Sequence, residues 1–264
     1  MYPFRLCAIA RSHLSRLTKT IVGLLLLCIT LLCWSSPVQA ASQVSPKLEE
    51  QVLQVIREHP EVILESVQAY QQRVQQQLQQ AQQAFVQELK TNPQAVIGES
   101  PTTGASQSKI VMVEFSDFQC PYCGRAHKTV QRFMAKHQDQ VTLTYKHYPL
   151  ASIHPQAVSA AKAAWAAFQQ GKFWEYHDVL FTQQEKLGES FYIETAKKLN
   201  LDVDQFNRDR NSQATETAIS QDIQLAESLG ITGTPFFVMN GEVFTGAIEL
   251  EEMEKRFTRV KQSL

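Results

Sequence analysis

The chain has 264 residues, 44% of them hydrophobic and 19% charged, enough apolar material for one or two packed domains and too much for a disordered chain. Residues 1–40 carry four basic residues and no acid, so the rest of the chain holds 21 basic against 26 acidic residues, a net of −5. A mildly acidic body argues against nucleic acid as the main partner.

The first forty residues read as an export signal. Arg5, Arg11, Arg16 and Lys19 form a basic start, and residues 21–34 form an apolar run. Residues 35–40 (SSPVQA) break the helix and place Val38 and Ala40 at the −3 and −1 positions of a cut after residue 40. The run is shorter than the roughly 20 residues a span needs. A cleaved signal is therefore expected over an uncleaved membrane anchor, with a periplasmic or otherwise extracytoplasmic location. No later segment is apolar enough to span. Of five cysteines, Cys7, Cys28 and Cys33 fall inside this signal. The remainder keeps only Cys120 and Cys123. A secreted domain stapled by disulfides would show more bridges over longer loops, so one close pair points to chemistry.

Residues 41–93 read as a glutamine-rich helical arm. Eleven of the twenty residues 68–87 are Gln. Pro60 suits the first turn of a second helix. Val67, Tyr70, Val74, Leu78, Ala81, Phe85 and Leu89 then recur at three-or-four spacing, one narrow apolar stripe on a polar cylinder. Something must cover it, either its own domain or further copies of the arm. Self-association through residues 47–90 is the expectation, giving a homo-oligomer.

Residues 94–264 read as an α/β domain. Residues 95–98 could form a short edge strand, and residues 99–108 (ESPTTGASQS) a turn-rich loop. Residues 110–115 (IVMVEF) have the continuous apolar character of a buried strand. A helix is expected over 121–137 and a second strand over 141–148, making a βαβ unit with a parallel pair. Residues 154–230 are helical throughout. Residues 236–239 and 243–245 flank Asn240-Gly241, a strong hairpin turn. A closing helix is expected over 249–260. The fold class is thus a mixed sheet with a helical insertion at about 154–230.

The chemistry centres on Cys120-Pro121-Tyr122-Cys123. Cys120 ends a strand and opens a helix, and Pro121 fits the first turn. Free N–H groups and the positive end of the helix dipole stabilise a thiolate at Cys120. Cys123, one turn on, is expected to be the more buried partner and the resolving thiol. A zinc site would need about four ligands, and one Cys pair does not supply them. A purely structural disulfide across so tight a loop would constrain the unfolded chain little. No metal and no cofactor are expected. Glu114 shares a strand face with Met112. A buried carboxylate there would have a raised pKa and could move protons to or from Cys123, unless it simply faces solvent. Lys146 on the next strand is its expected partner. Thr234-Pro235 precedes a strand, where proline is allowed, and a cis bond would make a tight, pre-formed loop.

Together these segments resemble the DsbA family of the thioredoxin superfamily. The resemblance rests on Val113-Glu114-Phe115-Ser116-Asp117-Phe118-Gln119-Cys120-Pro121-Tyr122-Cys123, on Tyr148-Pro149-Leu150 with His154, on Gly171-Lys172-Phe173-Trp174-Glu175-Tyr176-His177, and on Gly233-Thr234-Pro235-Phe236-Phe237-Val238. It implies a thioredoxin-like fold, a cis-proline loop at Thr234-Pro235 beside the active site where substrate backbone docks, and a buried acid at Glu114. The arm (VIREHPEV, residues 55–62, into the Gln-rich helix) is similar to the N-terminal helices of ScsC-like members, which implies oligomerisation and a bias toward isomerisation. Pro121-Tyr122 stands where DsbA proper has Pro-His, so strong oxidant character is not carried over.

Three functions follow as expectations. The first is an exported oxidase acting on cysteine-containing exported proteins, reoxidised by a quinone-linked membrane partner of DsbB or VKOR type. The second is an oligomeric isomerase or reductase, for which loss of residues 41–93 should leave a monomer. The third is a non-catalytic chaperone or metal-delivery module.

Overall fold

A computed structural model describes residues 45–106 and 108–264. The export-signal reading falls on residues outside these. The chain divides into two units, residues 1–66 and 67–264. Within the described part of the first, α1 (Pro46–Glu58) starts at Ser45, whose hydroxyl accepts from the Leu48 amide, and has Pro46 in its first turn. The second helix, α2 (Pro60–Thr91), begins at Pro60 as expected and continues into the second unit.

Residues 95–98 are not a strand. Pro93 opens a short helix, α3 (Pro93–Ile97), whose Val96 and Ile97 are buried. Proline's fixed φ and missing N–H favour a helical first turn over a ladder position. The edge strand lies in the segment expected to be loop: β1 (Thr102–Gly104) pairs antiparallel with β3 (Val141–His147). Three polar or small residues carry no alternation to detect.

The sheet has the order β1-β3-β2-β4-β5. Its centre is β2 (Ile110–Ser116), parallel to β3 and antiparallel to β4 (Phe236–Met239), which forms a hairpin with β5 (Glu242–Thr245). Asn240 and Gly241 both take positive φ at the hairpin turn, the geometry an Asn-Gly pair accepts cheaply. Asn240 also accepts from the Val111 amide at 2.8 Å and donates to the Lys109 carbonyl at 2.6 Å, pinning the hairpin to β2.

Every residue of β2 and β3 is buried, because helices cover both faces. On one face, Met112, Leu143, Phe237 and Met239 pack against α4 (Pro121–His137) and the closing helix α10 (Leu250–Gln262). On the other, Val111, Val113, Phe115 and Val238 meet Phe85 and Leu89 of α2 and Ala226 of α9 (Gln213–Ser228). The helical insertion comprises α5 (Ala157–Gln169), α6 (Phe173–Thr182), α7 (Glu189–Lys198), α8 (Val203–Arg210) and α9. It packs over Phe118, Cys120, Cys123 and Tyr145.

Within the second unit the apolar stripe of α2 splits. Phe85 and Leu89 are buried in the domain core, Leu78 lies against Gly230, and Gln82 donates to the Leu229 carbonyl at 2.8 Å. Val67, Tyr70 and Val74 stay exposed. The C-terminal half of the stripe is therefore covered by its own domain.

Candidate active site

Cys120 is the N-cap residue of α4, in extended backbone conformation, with Pro121 in the first turn. Both cysteines are free thiols; Cys120 is 4% exposed and Cys123 is fully buried. The Thr234-Pro235 bond is cis. It brings the Thr234 carbonyl to 3.4 Å from Cys120 Sγ, which donates to it as a thiol. The Thr234 hydroxyl is buried with no hydrogen-bond partner, which leaves it available to a thiolate.

These surroundings drive the two thiols apart. Cys120 is lowered to about 5, chiefly by a hydrogen bond from Cys123, with the Thr234 side chain and the backbone amides of Cys123 and Tyr122 adding to it against the opposing effect of burial. Cys123 is pushed well above the ordinary thiol range, first by burial and then by its hydrogen bond to, and the charge of, Cys120. The amides at the start of α4 are thus among the causes, as a helix N-terminus requires.

Glu114 is 2% exposed, so the solvent-facing reading of this residue does not apply. Burial raises its pKa to about 7, with Ser116 opposing. The expected Lys146 partner is wrong. The parallel register sets Glu114 opposite Tyr145, and Lys146 projects from the other face. There its ammonium reaches Asp222 at 3.2 Å, Ser100 Oγ at 2.7 Å and the Ile97 carbonyl at 3.2 Å. Glu114 Oε1, Ser116 Oγ and Tyr145 Oη are all buried without hydrogen-bond partners. Ser116 acts on both Glu114 and Cys123, and Tyr145 feels the charges of both. The three side chains form a buried polar patch beside Cys123.

Other supports are invisible in a linear reading. Buried Asp117 accepts from the Gln119 and Leu150 amides at 2.8 and 3.0 Å and pairs with His154 at 2.6 Å, shaping the loop before Cys120. Gln184 donates to the carbonyls of Phe118 and Cys120 at 2.7 and 2.9 Å. Its amide packs so close to Gly124 that a Cβ there would collide with it. Neither Ser116 nor Gln184 carries a sequence signal of its own. At the rim, Pro121 and Tyr122 are exposed, and the Arg125 guanidinium lies 4.3 Å over the Tyr122 ring.

A family profile described as a DSBA-like thioredoxin domain matches residues 111–258. The chain belongs to the DsbA-like thioredoxin family. Membership assigns it, as a class, thiol–disulfide oxidoreductase activity. Among solved structures, a thioredoxin-like oxidoreductase from Silicibacter pomeroyi is 30% identical with a TM-score of 0.60, covering 65% of this chain and 99% of that one. Proteus mirabilis ScsC in a transitional conformation shares the fold at 22% identity and a TM-score of 0.59, over 84% of this chain and all of that one. Among curated proteins, the Na(+)/H(+) antiporter NhaA 3 of Salinispora tropica is 35% identical over 150 residues, 57% of this chain and 23% of that protein. This DsbA-like chain spans about a quarter of the length of the curated relatives it matches. No helix among its described residues is long and apolar enough to cross a membrane.

Proposed function

We propose that this protein is an exported dithiol oxidase that passes a disulfide from Cys120–Cys123 to cysteine-containing exported proteins. The observation that carries this is the opposed tuning of two thiols one helical turn apart, Cys120 lowered and Cys123 raised. A substrate thiolate attacks Cys120 Sγ of the oxidised pair, the Cys120–Cys123 bond breaks, and Cys123 leaves with the electron pair. Glu114, which holds its proton near neutral pH, protonates that thiolate. A second substrate thiolate then attacks the mixed disulfide, and Cys120 departs as a stabilised thiolate. The substrate has lost two electrons and the enzyme has gained them. Substrate backbone docks on the Thr234-Pro235 loop beside the sulfur, with exposed Pro121 and Tyr122 forming the rim. No cofactor is needed. Reoxidation falls to a membrane redox partner of DsbB or VKOR type.

A thiolate with a pKa near 5 stabilises the reduced pair about a hundredfold at pH 7. For a two-electron couple that raises the potential by about 60 mV over an unshifted pair. The measured potential is expected to lie clearly above the roughly −270 mV of thioredoxin. Equilibration with glutathione, read by thiol alkylation, checks this, and a value at or below −270 mV would rule out the donor role.

A second reading, an oligomeric isomerase or reductase, is favoured by the exposed apolar residues Leu48, Val52, Ile56, Val62 and Ile63 of the first unit and by Val67, Tyr70 and Val74. Multi-angle light scattering on the mature chain is then expected to show a multimer, and removal of residues 41–75 a folded monomer. Removing 41–93 also strips Phe85 and Leu89 from the core, each worth about 2–5 kcal/mol, and is expected to unfold the domain. A monomeric full mature chain sinks this reading.

A further inference from the structure

The helix that carries both cysteines also bears a second chemical group. His127, one turn beyond Cys123 on α4, is 3% exposed, and its Nε2 has no hydrogen-bond partner. It faces His177 and Asp178 on α6. Asp178 Oδ1 lies 3.6 Å from His127 Nε2 and 3.0 Å from His177 Nδ1. One ligand atom from each of the three residues lies within 4.8 Å of the other two. Gln131 donates to Asp178 Oδ2 at 3.1 Å and orients the carboxylate, leaving Oδ1 turned toward both imidazoles. All three side chains line a cavity of about 330 Å³, along with Gln131, Met134 and Trp174.

The two distances to Asp178 Oδ1 bracket the edges of a zinc site. Zinc bonds of about 2.0–2.2 Å to nitrogen and carboxylate oxygen give tetrahedral edges of roughly 3.3–3.5 Å. The bland account is a local His177–Asp178 contact beside a core imidazole. It leaves His127 Nε2 buried and unsatisfied, which is unfavourable for a polar atom cut off from water. Two imidazole nitrogens and one carboxylate oxygen beside an open cavity are the donor set of a three-ligand zinc site with a water in the fourth position.

We propose that His127, His177 and Asp178 bind zinc and so tie the redox helix α4 to α6 of the helical insertion. This site is separate from the cysteine pair and does not depend on the direction of disulfide exchange. No linear signal marks this site, because the ligands come from two helices and only His177-Asp178 is contiguous.

The test uses the full mature chain, without a polyhistidine tag, with Cys120–Cys123 oxidised so that no thiolate can bind. Calorimetric titration with Zn²⁺ is expected to show one ion per chain, and Co²⁺ to give the visible bands of a tetrahedral site without thiolate charge transfer. Asp178 is 45% exposed, so Asp178→Asn keeps the fold, as circular dichroism will check. It and His177→Gln are expected to weaken zinc binding at least about tenfold. Zinc is expected to raise the melting midpoint of the wild type and not of Asp178→Asn. His59→Ala, on the exposed arm, serves as a control and leaves binding unchanged. No uptake by the wild type, or equal uptake by wild type and Asp178→Asn, overturns the proposal.

Discussion

Replacing Cys120 with serine is expected to abolish disulfide exchange, whereas Cys123→Ser is expected to leave a protein that captures substrates and fails to release them. The asymmetry follows from the site. With a pKa near 5, Cys120 is about 99% thiolate at pH 7, against about 3% for a free thiol near 8.5. Cys123 is fully buried and held protonated by burial and by the charge of Cys120. In the proposed mechanism, Cys123 attacks the mixed disulfide from one helical turn away and resolves it. Without it, the Cys120–substrate bond persists until an external thiol arrives. Alkylation of the reduced wild type at pH 6 should label Cys120 and spare Cys123, and non-reducing electrophoresis of Cys123→Ser after incubation with a dithiol peptide should show the trapped adduct. An active, folded Cys120→Ser would mean that the tuned thiol is not the reacting one, and would favour a non-catalytic binding module. Equal labelling of the two cysteines would remove the division of roles.

The oxidoreductase core is legible in the sequence because its signals are local. A continuous apolar run, a turn, a first-turn proline and an amphipathic helix stand in unbroken order around Cys120, and the expected helix over 121–137 coincides with α4. The Asn240-Gly241 turn was equally plain, since its backbone demands those residue types. What escaped depends on alignment between distant segments. Whether Glu114 faces Tyr145 or Lys146 is a matter of register between β2 and β3, and one position of slip exchanges the faces. Lys146 finds Asp222 on α9, a partner that only the tertiary fold supplies. Gln184 reads as one polar residue among many in a helical stretch, yet it fastens two carbonyls of the cysteine loop. The arm shows the converse limit. One regular stripe from Val67 to Leu89 promised a single role, but burial assigns Phe85 and Leu89 to the domain and leaves Tyr70 and Val74 open. Periodicity identifies a face and does not say what covers it.

Glu114→Gln is expected to make the oxidised protein more stable at high pH and a slower exchange catalyst. The carboxyl pKa is raised from 4.5 to about 7 by burial. Below pH 4.5 the group is protonated whether the chain is folded or not, and contributes no pH dependence. Between 4.5 and 7 the native state holds a proton that the unfolded state has lost, so raising the pH destabilises the fold; above 7 the full penalty applies. A shift of this size corresponds to about 3 kcal/mol. Glutamine cannot ionise. Its own amide brings a constant cost in a site with few partners, so the informative quantity is the change in the stability difference between variant and wild type. That difference is expected to swing by about 3 kcal/mol in favour of the variant from pH 4.5 to pH 8, measured by urea unfolding of the disulfide form, in which no thiol titrates. The catalytic consequence has the opposite sign. Loss of a positioned proton donor typically slows a step by about 10²–10⁴-fold, so substrate oxidation at pH 7 should fall at least tenfold while the rate of Cys120 alkylation holds. A stability offset that is flat with pH would show that Glu114 is ionised in the native state throughout. An unchanged oxidation rate would return the proton-transfer role to solvent and leave Glu114 as a carboxylate that the fold tolerates at a cost to its own stability.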